Sequence, residues 1–160
     1  MLSVKLICVG KLRERFYTEA FAEYRKRLQG LCRFELAEIA EQRLPDSPSE
    51  KEITAALEKE AQEILRAVPD GAYLTALCVE GRPLPSEGLA ALIRERENAG
   101  RPRLCFVVGG SFGLAPTVKE RAQLRLSMSE MTFPHHLARI MLIEQIYRAL
   151  MINAGTRYHK

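Results

Sequence analysis

The stretch Leu104-Cys105-Phe106-Val107-Val108-Gly109-Gly110-Ser111-Phe112-Gly113-Leu114 decides the fold. Five consecutive apolar residues, from Leu104 to Val108, form a strand with no polar face, the pattern of a central strand in a parallel sheet covered on both sides. The glycines end that strand, and Pro116 opens a short helix behind them. Working outward, the chain alternates. Val4–Val9 is an apolar strand, and Leu12–Gln29 carries Phe16, Ala20, Tyr24 and Leu28 at helical spacing up to a capping Gly30. Arg33–Ile39 alternates like a half-buried strand. Ser49 and Glu52 form a capping box that opens a helix to about Ala67. After the turn Pro69-Asp70-Gly71 comes a strand over Tyr73–Val79, then the loop Gly81–Pro85. Ser86 caps a helix ending near Gly100, Gln123–Ser129 alternates like a fifth strand, and His135–Ile152 forms a last helix. Strand–helix alternation without repeats implies an α/β sheet with helices on both faces.

The 160 residues amount to about one domain of ~150. Composition is that of a globular chain, 47% hydrophobic and 28% charged, which excludes disordered and fibrous classes. No run approaches the ~18 apolar residues of a membrane span, and Lys5 interrupts the first apolar run, so neither a span nor a signal peptide is expected. The net charge of +4 hides an uneven distribution. Residues 1–33 carry eight positive and three negative charges, residues 34–100 seven and fourteen, and residues 101–160 nine and three. If the two basic ends meet in space, a polyanionic partner fits them.

Cys8, Cys32, Cys78 and Cys105 contain no Cys-x-x-Cys pair. Each is assigned to a strand as a buried free thiol, which argues against a metal site and requires no oxidising compartment. His135 and His136 are adjacent and point apart, so one metal between them is not expected. The expected location is cytoplasmic.

Three stretches are suited to chemistry. The Gly-Gly-x-x-Gly turn after Val108 is neither a dinucleotide fingerprint nor a P-loop. Its glycines serve equally well a tight turn or a loop whose amides face a ligand. The segment Leu126–His135 leaves a strand at its carboxyl end, where open α/β sheets bind ligands. There Met128, Met131 and Phe133 are placed to wall a flat heterocycle or to fill a core. The last helix is apolar around most of its circumference, as buried or subunit-interface helices are, yet it carries Glu144 and Arg148 four apart. The tail Gly155–Lys160 adds Arg157, Tyr158, His159 and Lys160, a composition suited to phosphate and an unstacked base.

Taken together, Val107–Leu114, Leu126-Ser127, Met131-Thr132-Phe133-Pro134-His135, Glu144-Gln145-Ile146-Tyr147-Arg148-Ala149 and Tyr158-His159 resemble the RlmH family. These are small SPOUT-class methyltransferases acting on a pseudouridine of large-subunit ribosomal RNA. The resemblance spans the chain, including Lys11-Leu12 after the first strand, and is most specific over residues 104–160.

The resemblance implies an α/β SPOUT-type Rossmann-like parallel sheet with a C-terminal deep trefoil knot, an exception to the rule against threaded chains. It implies S-adenosylmethionine as methyl donor, held by Leu77, Gly109, Met128, Ser129, Glu130, Met131, Thr132 and Phe133, with no metal. It also implies a homodimer, in which one chain's tail can complete the other's site. The implied substrate is N3 of a pseudouridine in helix 69 of 23S rRNA on the assembled ribosome, with no part for DNA or a membrane. Glu144, Arg148, Tyr158 and His159 are expected to frame the target base, with His159 or Glu144 as base and Arg148 steadying charge on a carbonyl. Lys11, Arg13, Arg15, Arg25, Lys26, Arg27, Arg139 and Arg157 are candidate phosphate contacts. Two other classes compete. One is a non-catalytic, ribosome-associated RNA-binding dimer with a vestigial pocket. The other is a Rossmann oxidoreductase, against which the missing first-turn fingerprint counts.

Overall fold

A computed structural model describes residues 1–160. Five parallel strands, β1 (Ser3–Val9), β2 (Arg33–Ile39), β3 (Tyr73–Pro83), β4 (Arg103–Val108) and β5 (Leu124–Ser127), lie in the order β2-β1-β4-β3-β5. Five helices connect and cover them: α1 (Arg15–Arg27), α2 (Glu50–Ala67), α3 (Ser86–Asn98), α4 (Pro116–Arg121) and α5 (His135–Asn153). β4 is central, as its unbroken apolar run requires.

Successive residues of a strand face opposite ways, and this period of two separates the core into layers. Val4, Leu6, Cys8, Leu104, Phe106 and Val108 face α1, α3 and α5 through Phe21, Leu89, Ile93, Leu142 and Ile146. Ile7, Val9, Cys105 and Val107 face α2, α4 and the turn before α4 through Ile64, Val118 and Leu114. From β1 the chain turns to β2 on one side, whereas from β4 it crosses to β5 on the other. The crevice between the carboxyl ends of β1 and β4 is therefore a topological switch point, where such sheets bind ligands.

Several elements differ from expectation. α1 starts at Arg15, three residues late, because Glu14 is still extended. β3 runs on to Pro83. Leu77 and Arg82 both pair with Leu126, so residues 78–81 bulge out and the chain rejoins β5 where a loop was expected. Gly81 permits this, since a Cβ there would lie 2.7 Å from the Arg125 carbonyl oxygen. Ser86 is the first residue of α3 and caps nothing. Pro85 is the N-cap, and the Ser86 hydroxyl donates to Gln145 Oε1 (2.6 Å). Ser49 does cap α2, with the reciprocal bond from Glu52. Cys32 precedes β2 and lies in no strand, and Cys78 is only half-buried.

Arg139 requires the largest correction. It was a candidate phosphate contact, yet only 1% of its surface is exposed. Its Nη1 pairs with Glu38 of β2 at 2.7 Å, and Nη2 donates to the Gly10 carbonyl at 2.8 Å. It thus ties α5 to the carboxyl ends of β1 and β2. Removing one partner of such a pair strands the other's charge, at a cost of about 3–5 kcal/mol. Arg139→Ala should lose stability on that scale in urea unfolding. Arg139→Met combined with Glu38→Gln should lose clearly less than the two single changes added together. Strict additivity would show that the pair is not coupled.

Candidate methyl-donor site

A cavity of about 690 Å³ opens at the carboxyl ends of β3, β4 and β5. Its size falls within the ~300–1,000 Å³ range of small-molecule sites. Three chain segments form most of its wall: residues 77–80 at the β3 bulge, the glycine turn 108–114, and the 128–135 connection into α5. Gly109 has no room for a side chain, because a Cβ would sit against the Gly113 carbonyl oxygen and Leu114. Gly113 takes φ +82°, the left-handed region that glycine adopts without strain. The turn closes on itself through the Gly113 amide, which donates to the Gly110 carbonyl (3.1 Å).

Glu41, seventy residues away in sequence, braces the turn from outside. Its Oε1 accepts from the Ser111 amide (3.3 Å) and hydroxyl (3.2 Å), and a Cβ on Gly110 would lie 2.9 Å from that oxygen. The loop carrying Glu41 is itself anchored, since the Gln42 amide donates to buried Glu60 (2.9 Å). Burial pushes the Glu60 carboxyl above its ordinary range. On the opposite wall, Ser127 donates to the Ser129 carbonyl (3.0 Å) and the Met131 amide donates to the Ser129 hydroxyl (3.0 Å), which shapes the connection into a fixed turn. The amides of Gly109, Ser129, Thr132 and Phe133 have no hydrogen-bond partner within the chain. Gly109 is buried and Ser129 and Phe133 are half-buried, and amides so placed are rarely left without partners. Here they border a cavity whose apolar lining includes Leu77, Leu114, Met128 and Phe133. That donor set fits the edge and faces of a flat heterocycle.

Of the eight residues expected at the donor site, Leu77, Gly109, Met128, Ser129, Met131, Thr132 and Phe133 line the cavity. Glu130 does not, and its side chain lies in solvent. The set expected to hold the donor lacked His135, and the sequence reading missed Cys78, Glu80 and Lys119; all four also line the cavity. Glu80 pairs with Lys119 at 2.5 Å, and this holds its carboxyl below the ordinary range. Burial and the neighbouring His136 hold the His135 imidazole below its ordinary pKa. Only the β3 bulge turns residues 78–80 toward the cavity, and no periodicity signals it.

Glu144, Arg148, Tyr158 and His159 do come together, but away from this cavity. Arg148 pairs with Glu144 (2.7 Å) and approaches His159 Nδ1 (3.1 Å), and the Tyr158 hydroxyl lies 3.4 Å from Glu144 Oε1. His159 Nε2 meets Glu87 at 2.7 Å. An arginine only donates, so Nδ1 accepts, and Nε2 then carries the proton donated to Glu87. Tyr158 stands edge-on to Tyr147, 4.8 Å between ring centroids, with the Arg148 guanidinium over its face. Glu144 borders a separate cavity of about 480 Å³ between α3 and α5, and Met128 lines both cavities.

Fold and cavity together define an open α/β protein with a small-molecule site at the strand carboxyl ends, and the comparisons say of which family. A family model described as "Predicted SPOUT methyltransferase" matches residues 2–159. The chain belongs to the SPOUT methyltransferase family. It is 46% identical over 159 residues to the Streptococcus thermophilus protein named ribosomal RNA large subunit methyltransferase H, covering 99% of this chain and 100% of that one. It is 45% identical, with the same coverage, to the protein of that name from Bifidobacterium animalis subsp. lactis. Among solved structures, a probable methylase family protein from Haemophilus influenzae aligns with TM-score 0.56 at 12% identity, covering 98% of this chain and 70% of that one. A probable methyltransferase from Bordetella pertussis aligns with TM-score 0.55 at 16% identity, covering 92% and 95%. At such identities these two speak to fold alone. No helix is long and apolar enough to cross a membrane.

The thiols offer a direct probe of the cavity. Burial pushes Cys8 and Cys105 up to about 12 and Cys32 up to about 11. Only Cys78 is both half-exposed and in the cavity wall. At pH 8 a maleimide should modify Cys78 well before the other three, and S-adenosylmethionine should slow that reaction. Equal rates with and without the donor would place it elsewhere.

Proposed function

We propose that the chain transfers a methyl group from S-adenosylmethionine to N3 of a pseudouridine in helix 69 of 23S rRNA, as a homodimer on the assembled ribosome. In this reading residues 1–160 form one SPOUT methyltransferase domain with its C-terminal deep trefoil knot. The observation that carries it is the set of unpartnered amides around an apolar cavity at the carboxyl ends of the strands. The full-length relatives, named as methyltransferases of the large ribosomal subunit RNA, supply the substrate class.

When bound, S-adenosylmethionine supplies a methyl group activated on a sulfonium sulfur. Leu77, Gly109, Met128, Ser129 and Met131 to Phe133 would hold it, with backbone amides at the heterocycle edge and apolar side chains on its faces. The imide N3–H of the target must lose its proton before the nitrogen becomes a good nucleophile. The chain therefore has to orient the base and receive that proton. No covalent intermediate on the protein is needed, and the raised thiol pKa values leave the cysteines poor nucleophiles.

Glu144, Arg148, Tyr158 and His159 supply the groups such a step uses: two proton acceptors, a cation for a uracil carbonyl and a ring to stack on. Within one chain they pair with one another and with Glu87, outside the donor cavity. A second copy bringing its tail to this cavity would complete the site. Either His159 or Glu144 would then give up its present partners to take the N3 proton.

The test supplies labelled S-adenosylmethionine with ribosomes, free large subunits and naked RNA. Label should enter the large-subunit RNA of intact ribosomes. His159→Ala and Arg148→Ala should each lower turnover by about 10²-fold or more. Mixing a Gly109→Val chain with a His159→Ala chain should restore part of the activity, since hybrid dimers would keep one intact site. Label in no substrate would leave a non-catalytic RNA-binding dimer, and a mixture as inactive as its components would place the tail in its own chain's site.

A further inference from the structure

We infer that the cleft beyond the ends of β1 and β2 seats an unpaired RNA strand flanking the methylated nucleotide, a site that rests on the rRNA substrate proposed above. The cleft has a volume of about 730 Å³, and its rim includes Lys11, Arg13, Glu38, Glu41, His135 and His136. His135 also lines the donor cavity, so an occupant of the cleft lies directly beside the reacting centre.

Two cations on the rim are left free to meet a polyanion. Of the cleft's carboxylates, Glu38 is neutralised by buried Arg139 at 2.7 Å, while Glu41 keeps its charge but turns Oε1 toward the Ser111 amide and hydroxyl. Glu14, at the edge, approaches His136 at 3.8 Å. Lys11 and Arg13 are exposed and have no carboxylate within ion-pair distance. The next cation, Arg15, is held by Glu19 at 2.6 Å and stays outside the site.

A row of rings points to single-stranded nucleic acid in particular. Phe16 is 65% exposed and packs 4.4 Å from Tyr17 between ring centroids. Tyr17 stands edge-on to His136 at 6.1 Å, and His136 lies 4.2 Å from His135. The row runs from open surface to the wall of the donor cavity. Stacking rings beside unpaired cations suit a strand whose bases offer their faces and whose phosphates repeat alongside. A duplex hides those faces in its own stack and offers only backbone and groove edges.

The experiment uses the full chain and a fluorescein-labelled RNA of about 12 nucleotides, within the span of such strand-binding sites, single-stranded and as a duplex, with anisotropy read at several salt concentrations. Wild type should prefer the single strand. Phe16→Ala should weaken that binding about tenfold or more. Lys11→Ala with Arg13→Ala should flatten the salt slope by about 1.4, two phosphate contacts' worth for a single strand. In the ribosome assay both variants should raise KM more than they lower kcat, while calorimetry shows S-adenosylmethionine binding near wild type. Arg101→Ala, at the opposite end of the sheet, should change none of these. Equal affinity for duplex and single strand, or variants that bind and turn over like wild type, would overturn the cleft. So would loss of dimerisation by Phe16→Ala in sedimentation, which would assign that ring to a second copy. A wild-type protein that methylates no ribosomal RNA would remove the proposed function itself, whereas methylation indifferent to these substitutions would remove only the cleft.

Discussion

A guanidinium with 1% of its surface exposed holds the last helix against the sheet, and the site inherits its geometry from that attachment. Arg139 satisfies the Glu38 carboxylate and the Gly10 carbonyl together, so one side chain joins α5 to the end of β2 and to the loop leaving β1. Its Nε finds no partner, which adds to the cost of keeping it buried. Hydrophobic packing alone would let α5 slide along α1 and α3, because an apolar stripe has little preference for register. A fork of fixed geometry has such a preference. One turn before Arg139 stands His135, and between them Ala138 lines the donor cavity. The position of α5 thus sets one wall of that cavity and, through His135 and His136, one wall of the neighbouring cleft.

The opposite wall is fixed by exclusion. Gly109 and Gly110 approach other chain atoms so closely that a methyl group at either would move the Gly113 carbonyl or displace Glu41. The turn is therefore held from inside by its own closure and from outside by a carboxylate that belongs to the β2–α2 connection. Glu60 carries the same restraint one step further back, into α2. A rigid backbone rim suits recognition by amides, since donors already in place need no ordering when a ligand arrives.

Much of the fold was legible because period and punctuation agree. The apolar run 104–108 identified the central strand, and the Ser49–Glu52 box and Pro116 located helix starts that the structure reproduces. Seven of the eight residues expected to hold the donor do line one cavity, and they were named through the resemblance rather than through spacing. What escaped reading depends on contacts between distant residues. Arg139 looks like any surface cation until Glu38, 101 residues away, is seen beneath it. Glu41 carries no local sign of bracing a turn 70 residues further on. Residues 78–81 bulge because β5 pairs with β3 twice, and that doubling is a property of the sheet with no counterpart in local pattern.

The same distinction decides how net charge should be weighed. The basic ends of the chain do meet, since β1 pairs with β4 and α1 packs on α5. The structure then removes cations from the count one by one. Lys5 pairs with Glu35, Arg15 with Glu19, Arg27 with Glu23, Arg148 with Glu144, and Arg139 is buried against Glu38. Each of these adds to the number of cations in the sequence and, with its carboxylate, little to the outward field. Among the cations left unpaired, Lys11 and Arg13 stand on the loop leaving β1, on the rim of the cleft that shares His135 with the donor cavity. For a polyanionic substrate the relevant quantity is therefore the position of the cations left unpaired, and folding sets these two beside the strand carboxyl ends, where the proposed methyl transfer would take place.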